Sequence, residues 1–458
     1  HRICTRECSG RCDRSLSALD GRYCFFTTGT DEHGQKIAQR AKEEGRDVQE
    51  YVDHFAGQFR KLQRALDLSY DAFIRTTDER HIKAAQELWK RCDAAGDIYK
   101  KKYKGLYCVG DEAYVTESDL VNGKCPNHPN MDLVEIEEEN YFFRLSRYQE
   151  AILQYLQQEG VIVPEWRRQE AVNFVSKGLE DFSISRETSR MDWGIPVPGD
   201  DKQVMYVWFD ALTNYISTLG WPDDAEGFYK NFWEKGETLQ IAGKDQVRFQ
   251  SIMWQAMLMS ASLPATDRVL YHGFITSGGQ KMSKSLGNVI EPYSIVDEYG
   301  TDALRYFLLR HMHPFDDSDF TMERFKESYN ADLANGIGNV TARIMTLAEK
   351  NLDSAVTRPE PVGFSSEYIE AFDAYDFNKA AAYVMEQVQT IDRKISETEP
   401  FKLIKSDPDA GKALIAELAT ELYGIARLLN PFMPKTSDAI KAAVLANKKP
   451  ENLFARKD

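Results

Sequence analysis

The sequence predicts an α/β protein whose last third is an all-α bundle. Three observations carry this. A β-prone run of aromatic and threonine residues, Tyr23 to Thr28, ends in Gly29-Thr30-Asp31-Glu32-His33-Gly34, and the Gln/Lys/Ala/Glu-rich segment Gln35 to Glu44 reads as helix. Strand, polar loop, helix is the unit of an open α/β sheet, and ligands sit at the carboxyl ends of such strands. Two further apolar runs are strand candidates: Leu239 to Ala242, followed by Gly243-Lys244-Asp245, and Val269 to Ile275, ending in a Gly-rich turn. After about Asp319 the period changes. Phe325, Tyr329, Leu333, Ile337, Val340, Ile344 and Leu347 step by three or four, which is one face of a long amphipathic helix. Leu414, Leu418, Leu422, Ile425 and Leu429 do the same, as expected of a helical bundle.

Between these landmarks, helical patterns run on to about Gly96. A Cys- and acid-containing insert follows, from about Tyr103 to Glu139. Trp166 to Gly199 reads as irregular, closed by Ile195-Pro196-Val197-Pro198, and Val204 to Phe209 as a strand. A length of 458 residues suggests two to four domains, at roughly 100–200 residues each. Apolar residues make up 42% and charged residues 28%, which excludes disordered, collagen-like and coiled-coil architectures. No stretch approaches the roughly 18 apolar residues of a membrane span. Lys plus Arg is 57 against 72 Asp plus Glu, a net charge of −15, which argues against a generally basic nucleic-acid-coating protein. A local basic groove is not excluded, because patches matter more than totals. Seven cysteines in so long a chain do not make a secreted disulfide scaffold. The chain starts at His1 without the charged and apolar regions of a signal peptide.

The most informative string is Lys281-Met282-Ser283-Lys284-Ser285, after Gly278-Gly279 and before Leu286-Gly287-Asn288. Two lysines three apart on a Gly-hinged loop can swing onto a triphosphate and neutralise pyrophosphate as it leaves. Taken alone they could equally be two solvated surface lysines.

This string resembles the second signature of the class I aminoacyl-tRNA synthetases. TGTDEHGQKIA (Thr28 to Ala38), SISRETSRMDWGIPVPG (Ser183 to Gly199), VMYVWFDALTNY (Val204 to Tyr215) and GKDQVRFQSIMWQAM (Gly243 to Met257) resemble the methionyl-tRNA synthetase family, in order and at family spacing, from about Asp20 onward. The resemblance implies a class I Rossmann-fold catalytic domain with a connective insert, then an all-α anticodon-binding bundle. It implies ATP with Mg²⁺, methionine and a methionine-accepting tRNA as partners. Lys281 and Lys284 would be catalytic, and Gly243, Asp245, Lys281, Met282, Ser283 and Lys284 would bind ATP. Asp31 would receive the methionine ammonium, as a fixed anion at a strand end suits a cation; otherwise it would be a helix N-cap. Trp208, Ala211, Tyr215, Phe249 and Gln250 would form the side-chain pocket, where a thioether packs against aromatic rings. Family members usually carry His where this chain has Gln250, and Leu212 and Gln246 are also atypical. Arg186 would be a phosphate contact.

Cys108-Val-Gly-Asp111 and Cys125-Pro-Asn-His128 have the spacing of a zinc knuckle, with Asp111 where relatives carry Cys. Cys108, Asp111, Cys125 and His128 would hold one structural Zn²⁺ with no open position, or would be the remnant of such a site without metal. In the helical region Pro400-Phe401-Lys402-Leu403 stands where relatives carry Pro-Trp-Lys-Leu. Phe401 would stack on an unpaired anticodon base, with Asn339 and Arg343 facing the anticodon.

The family's first signature, His-Ile-Gly-His, is not present. Shifted by one base, Ser9 through Ser15 permit Val-Ala-Asp-Val-Ile-Ala, and His1-Arg2 permit Ile-Gly at the expected distance upstream. The second His and the Arg before Phe do not come out. The expectation is therefore that residues 1–19 are mis-framed, and Cys4, Cys8 and Cys12 are not a metal site. The expected divisions are 1–19 aberrant, 20–102 the first Rossmann half and 103–140 the insert. Then come 141–268, connective and second Rossmann half, 269–324, KMSKS loop and stem-contact region, and 325–458, the anticodon-binding domain. Two alternatives remain: a class I synthetase for leucine, isoleucine or valine, opposed by the lack of a large editing insertion, and a non-catalytic tRNA-binding or inactive product. With no appended dimerisation domain the expectation is a monomer, in cytoplasm or an organelle matrix and without membrane contact.

Overall fold

A computed structural model of the chain describes residues 23–108, 113–115, 120–126, 129–282, 288–360 and 363–457. The segment 1–19 lies outside the described residues. The chain divides into two compact units. One comprises Phe25–Lys61 and Tyr70–Tyr271; the other comprises Leu62–Ser69 and the chain from His272 onward. No described helix is long and apolar enough to cross a membrane.

In the first unit, β1 (Thr27–Thr30) is followed by α1 (Gln35–Glu43) and α2 (Val48–Ala65), whose last turn belongs to the other unit. β2 (Ala72–Arg75) pairs parallel to β1, with Thr27 opposite Ala72 and Thr30 opposite Arg75. Gly29 makes the pairing possible: a Cβ there would lie 2.0 Å from the Ile74 carbonyl oxygen. α3 (Glu79–Ala94) buries His81, Ala84, Ala85, Leu88, Trp89 and Cys92, an i, i+3, i+4 face. β3 (Ile98–Cys108) pairs antiparallel with β4 (Ala113–Val115) and β5 (Val134–Phe143). Lys102 stands opposite Glu139 and Lys104 opposite Glu137, so charge complementarity supports the register.

Next come α4 (Gln149–Leu156), β6 (Ile162–Val163) and α5 (Glu165–Ser176). The helix α5 corrects the irregular reading of this stretch. Arg167 pairs with Glu170 and Arg168 with Glu165, one turn apart, while Ala171 and Val175 face inward. The short strands β7 (Phe182–Ser183), β8 (Ser185–Glu187) and β9 (Pro196–Val197) lead to β10 (Asp200–Met205), which pairs with both β8 and β9. The expected strand over Val204 to Phe209 ends at Met205. Val207–Leu212 is helix α6, because Asp210 must turn inward to reach two histidines, and α7 (Asn214–Ser217) continues it. β11 (Leu239–Gly243) and β12 (Arg268–His272) complete a sheet ordered β11-β12-β6, in which β12 runs parallel to β6. Between them a π-helical turn, Phe249–Met253, runs into α8 (Trp254–Ser260). Trp254, Phe209, Phe143 and Tyr271 are fully buried in this unit's core.

In the second unit, β13 (Ile275–Ser277) and β14 (Gln280–Lys281) form a hairpin whose turn residues Gly278 and Gly279 have φ of 62° and 71°. Two positive φ angles in a two-residue turn suit glycine. β15 (Ser318–Asp319) runs parallel to β13, and the Asp319 carboxylate accepts from Thr276 Oγ1 and Gly279 N, both at 2.9 Å. The helices are α9 (Pro292–Tyr299), α10 (Thr301–Arg310), α11 (Met322–Ser328), α12 (Asn339–Asn351), α13 (Ser366–Asp373), α14 (Phe377–Thr398), α15 (Pro400–Ser406), α16 (Pro408–Leu429) and α17 (Pro434–Ala446). The apolar face predicted as one long helix from Phe325 to Leu347 is interrupted. A π-helical stretch, Tyr329–Gly338, joins α11 to α12, and Gly336 takes the non-helical angles φ −85°, ψ −109°. The side chains of Asp376 and Asp407 cap α14 and α16 at the backbone N–H three residues on.

Arg305 on α10 is fully buried. It donates to the carbonyls of Phe432 (3.0 Å), Pro431 (2.8 Å) and Leu66 (3.2 Å). This guanidinium ties residues 62–69 and the turn before α17 to one helix. Arg305→Met keeps the apolar stem but ends short of the guanidinium and removes every donor, leaving the three carbonyls without this partner. It is expected to cost about 3 kcal/mol, measured as a lowered denaturant midpoint.

Candidate active site

The loop after β1 turns one acid outward and two side chains inward. Asp31 is exposed, while Glu32 and His33 are buried. The Glu32 carboxylate accepts from Thr30 Oγ1 (2.6 Å), Arg75 Nε (2.7 Å) and Thr77 Oγ1 (2.5 Å). Its backbone N–H donates to Thr76 Oγ1 at 2.9 Å, and its carbonyl accepts from Trp193 Nε1 at 2.6 Å. The hydrogen bond to Glu32 is the largest cause raising the Arg75 pKa above its ordinary value. Arg75 also donates to Asp53 at 2.6 Å, and that bond is the main reason the Asp53 carboxyl lies low. Helix α1 starts at Gly34, φ 117°, with no side-chain cap, so Asp31 is not an N-cap.

Helices α6 and α7 set Trp208, Ala211 and Tyr215 three and four residues apart, on one helical face. The structure brings four of the expected pocket residues together in two pairs. Trp208 stacks on Phe249, with ring centroids 4.1 Å apart and planes at 18°. Gln250 Nε2 donates to the Tyr215 hydroxyl. Ala211 is buried beside them in sequence. Gln250 is buried, and its Oε1 has no hydrogen-bond partner. Gly243 closes β11, and Asp245 is exposed in the turn that follows. Arg186 is buried, donates to Ser183 Oγ (2.9 Å) and the Ser185 carbonyl (2.7 Å), and lies 4.5 Å from the Tyr206 ring centroid. Those contacts make it a brace of β8.

In the second unit, Lys281 is in β14 and Met282 follows it, half-buried; Ser283 and Lys284 lie outside the described residues. Asn339 is exposed at the start of α12. Arg343, one turn on, pairs with Asp392 of α14. Phe401 on α15 is 44% exposed. A cleft of about 360 Å³ is lined by Ala342, Arg343, Thr346, Leu347, Ile395 and Phe401, so it unites Arg343 and Phe401 but not Asn339. Of the expected zinc ligands, Cys108 and Cys125 are both buried, while Asp111 and His128 lie outside the described residues. Among the described residues no cluster of three or more metal-ligating side chains occurs.

The model of the family described as "tRNA synthetases class I (M)" matches residues 13–133 and 131–345. The chain belongs to this family. Its class I match begins at residue 13, inside the segment expected to be aberrant. The methionine–tRNA ligase of Rhizobium meliloti strain 1021 is 41% identical over 435 residues, 92% of this chain and 84% of that protein. The methionine–tRNA ligase of Caldanaerobacter subterraneus subsp. tengcongensis is also 41% identical, over 91% of this chain and 67% of that protein. Mycobacterium tuberculosis methionyl-tRNA synthetase in complex with methionyl-adenylate superposes with a TM-score of 0.88 at 33% identity, covering 100% of this chain and 95% of that one. As expected, the fold is a class I Rossmann catalytic architecture with a helical region after it.

The family's sequence strings gave Asp31 and the pocket residues but passed over what holds them. Glu32, His33, Arg75, His81 and Asp210 were not singled out. The signal available was the unbroken Asp-Glu-His run directly after a strand candidate. Arg75→Met is expected to destabilise the protein by about 3 kcal/mol, because it leaves a buried carboxylate without its cation. Glu32→Gln in the same chain should recover part of the loss, and denaturant titration of the two single variants and the double variant measures the coupling.

Proposed function

We propose that this chain ligates methionine to its tRNA. The methionine carboxylate attacks the α-phosphorus of ATP, giving methionyl-adenylate and pyrophosphate. The 3′ ribose hydroxyl of the tRNA then attacks the activated carbonyl, giving methionyl-tRNA and AMP. The observation that carries this is the joint presence, in one compact unit, of an outward carboxylate on a braced loop and an aromatic pocket segment, tied by His33 and Asp210. Asp31 receives the ammonium. Trp208, Ala211, Tyr215, Phe249 and Gln250 receive the side chain. Gly243 and Asp245 hold the adenosine, where an exposed carboxylate after a strand end suits ribose hydroxyls. Lys281 and Lys284, with Met282 and Ser283 between or beside them, stabilise the charge that develops on the phosphates. Bound Mg²⁺ would supply further charge neutralisation there. Catalysis is positioning and electrostatics, without a protein nucleophile.

The cleft at Phe401 supports anticodon binding: it is open, largely apolar and edged by an aromatic ring and a guanidinium, which suits a splayed base. Asn339 is exposed on the same helix as Arg343, outside the cleft, and is proposed as a further anticodon contact. A monomer is proposed as the working state, and a dimer in sedimentation analysis would overturn it. The test is methionine-dependent ATP–pyrophosphate exchange and tRNA charging, on the 458-residue chain and on a version with the upstream frame restored. Exchange in the restored protein, absent from the original, is the expected result, and supports mis-framing of residues 1–19. In the active protein Phe401→Ala should leave exchange intact and reduce charging on the order of tenfold, from the loss of one base stack. Folded protein without exchange in either form would move the reading to a non-catalytic tRNA-binding product.

The burial of both Cys108 and Cys125 fits thiolate ligation. With Asp111 and His128 they would hold a structural zinc, which cross-links the insert and takes no part in the reaction. Elemental analysis should find one zinc per chain, lost in Cys125→Ala. Metal-free protein with an ordinary melting temperature would remove zinc from the account.

A further inference from the structure

A buried charge joins the acidic loop to the pocket helix, and none of the substrate roles proposed above uses it. Asp210 and His81 are 0% exposed and His33 is 7% exposed. Asp210 Oδ2 lies 2.8 Å from His33 Nδ1, and Oδ1 lies 3.0 Å from His81 Nε2. A carboxylate only accepts, so both imidazoles donate to it. The other ring nitrogen of His81 is 2.9 Å from Ser217 Oγ on α7. One carboxylate is thus clamped between the loop after β1 and helix α3. His33 is two residues from Asp31, and Asp210 sits between Trp208 and Ala211.

We propose that Asp210 is a positioning residue for methionine, which through His33 fixes the loop of Asp31 relative to the helix of Trp208 and Ala211. It therefore sets the spacing between the ammonium site and the side-chain pocket. This inference rests on the methionine-binding reading of those residues. Desolvation offsets much of the attraction in a buried ion pair, so the clamp fixes geometry more than it stabilises the core. The charged groups acting on His33 are Asp210, Glu32 and Asp31, and the Trp193 ring lies 5.7 Å away. Burial by itself pulls the His33 pKa down; Asp210, by charge and hydrogen bond, and then Glu32 and Asp31 outweigh it and leave it raised. Burial pushes Asp210 up, and the two histidines bring it below the ordinary range. The clamp is tightest with His33 protonated and weakens as pH rises through its raised pKa. Because Asp210 lies at 2.8 Å, it largely cancels the His33 charge as seen from Asp31.

Calorimetric titration of methionine into the full chain, from about pH 6 to about pH 8, tests this without needing turnover. The dissociation constant of the unaltered chain should rise several-fold across that range. His33→Asn keeps a neutral donor near the Nδ1 position, so its affinity should match the high-pH value and stay flat with pH. Asp210→Asn should weaken binding on the order of tenfold, with an unchanged circular dichroism spectrum. If Asp210→Asn does not fold, His33→Asn carries the test. A His33→Asn profile that follows the unaltered chain, or a folded Asp210→Asn with undiminished affinity, would overturn the proposal. Failure of the unaltered chain and of the frame-restored chain alike to bind methionine at any pH would instead overturn the functional reading beneath it.

Discussion

A carboxylate removed from water is costly unless donors meet it, and the catalytic unit is built around that cost. Asp210 meets it with two imidazoles. Glu32 meets it with a guanidinium and two hydroxyls. Each solution draws partners from a different element: the β1 loop, β2 and the residues just after it, and α3. The acids therefore act as fasteners. Asp210 and Glu32 are matched internally and Asp31 is exposed, so the buried pairs set where the outward charge is presented.

The fasteners depend on backbone register. Gly29 lets β2 come close enough to β1 that Thr30 stands opposite Arg75. Only in that register does Arg75 Nε reach Glu32 while the other end of the guanidinium reaches Asp53. A side chain at Gly29 would have to displace a backbone carbonyl, not a flexible side-chain tip, so the adjustment would pass to the whole strand pair. A small residue in the sheet thus governs the placement of a charge several residues away.

Much of this was legible in the sequence where one period dominates. The α1 helix falls on residues whose composition predicts it, the α16 helix on residues whose spacing predicts it, and β11 ends at its glycine. The misreadings share one physical cause, which is that tertiary contacts overrode local pattern. Val207 to Phe209 look like the end of a strand by composition, but Asp210 is drawn to two histidines far away in sequence, and a helical turn is the way to place it there. The bundle's apolar stripe reads straight through Gly336, where the chain departs from helical angles. The surroundings of Arg186 were not legible either, because the rings of Tyr107 and Tyr206 come from residues that sequence order alone does not bring near it.

The same logic bears on how a chain of net charge −15 would meet a polyanion. Counterion release needs many lysine and arginine contacts, and its yield falls with salt. The cleft in the helical unit is of another kind. Arg343 is already paired with Asp392, and the remaining lining side chains are alkyl groups, one hydroxyl and the Phe401 ring. A paired guanidinium keeps its flat face for stacking while its charge is satisfied. On the proposed reading, recognition there would rest on ring faces and shape, which an acidic protein can offer without a basic surface. Phosphate contacts would then be needed elsewhere only to orient the nucleic acid, since positioning and base reading are separable tasks.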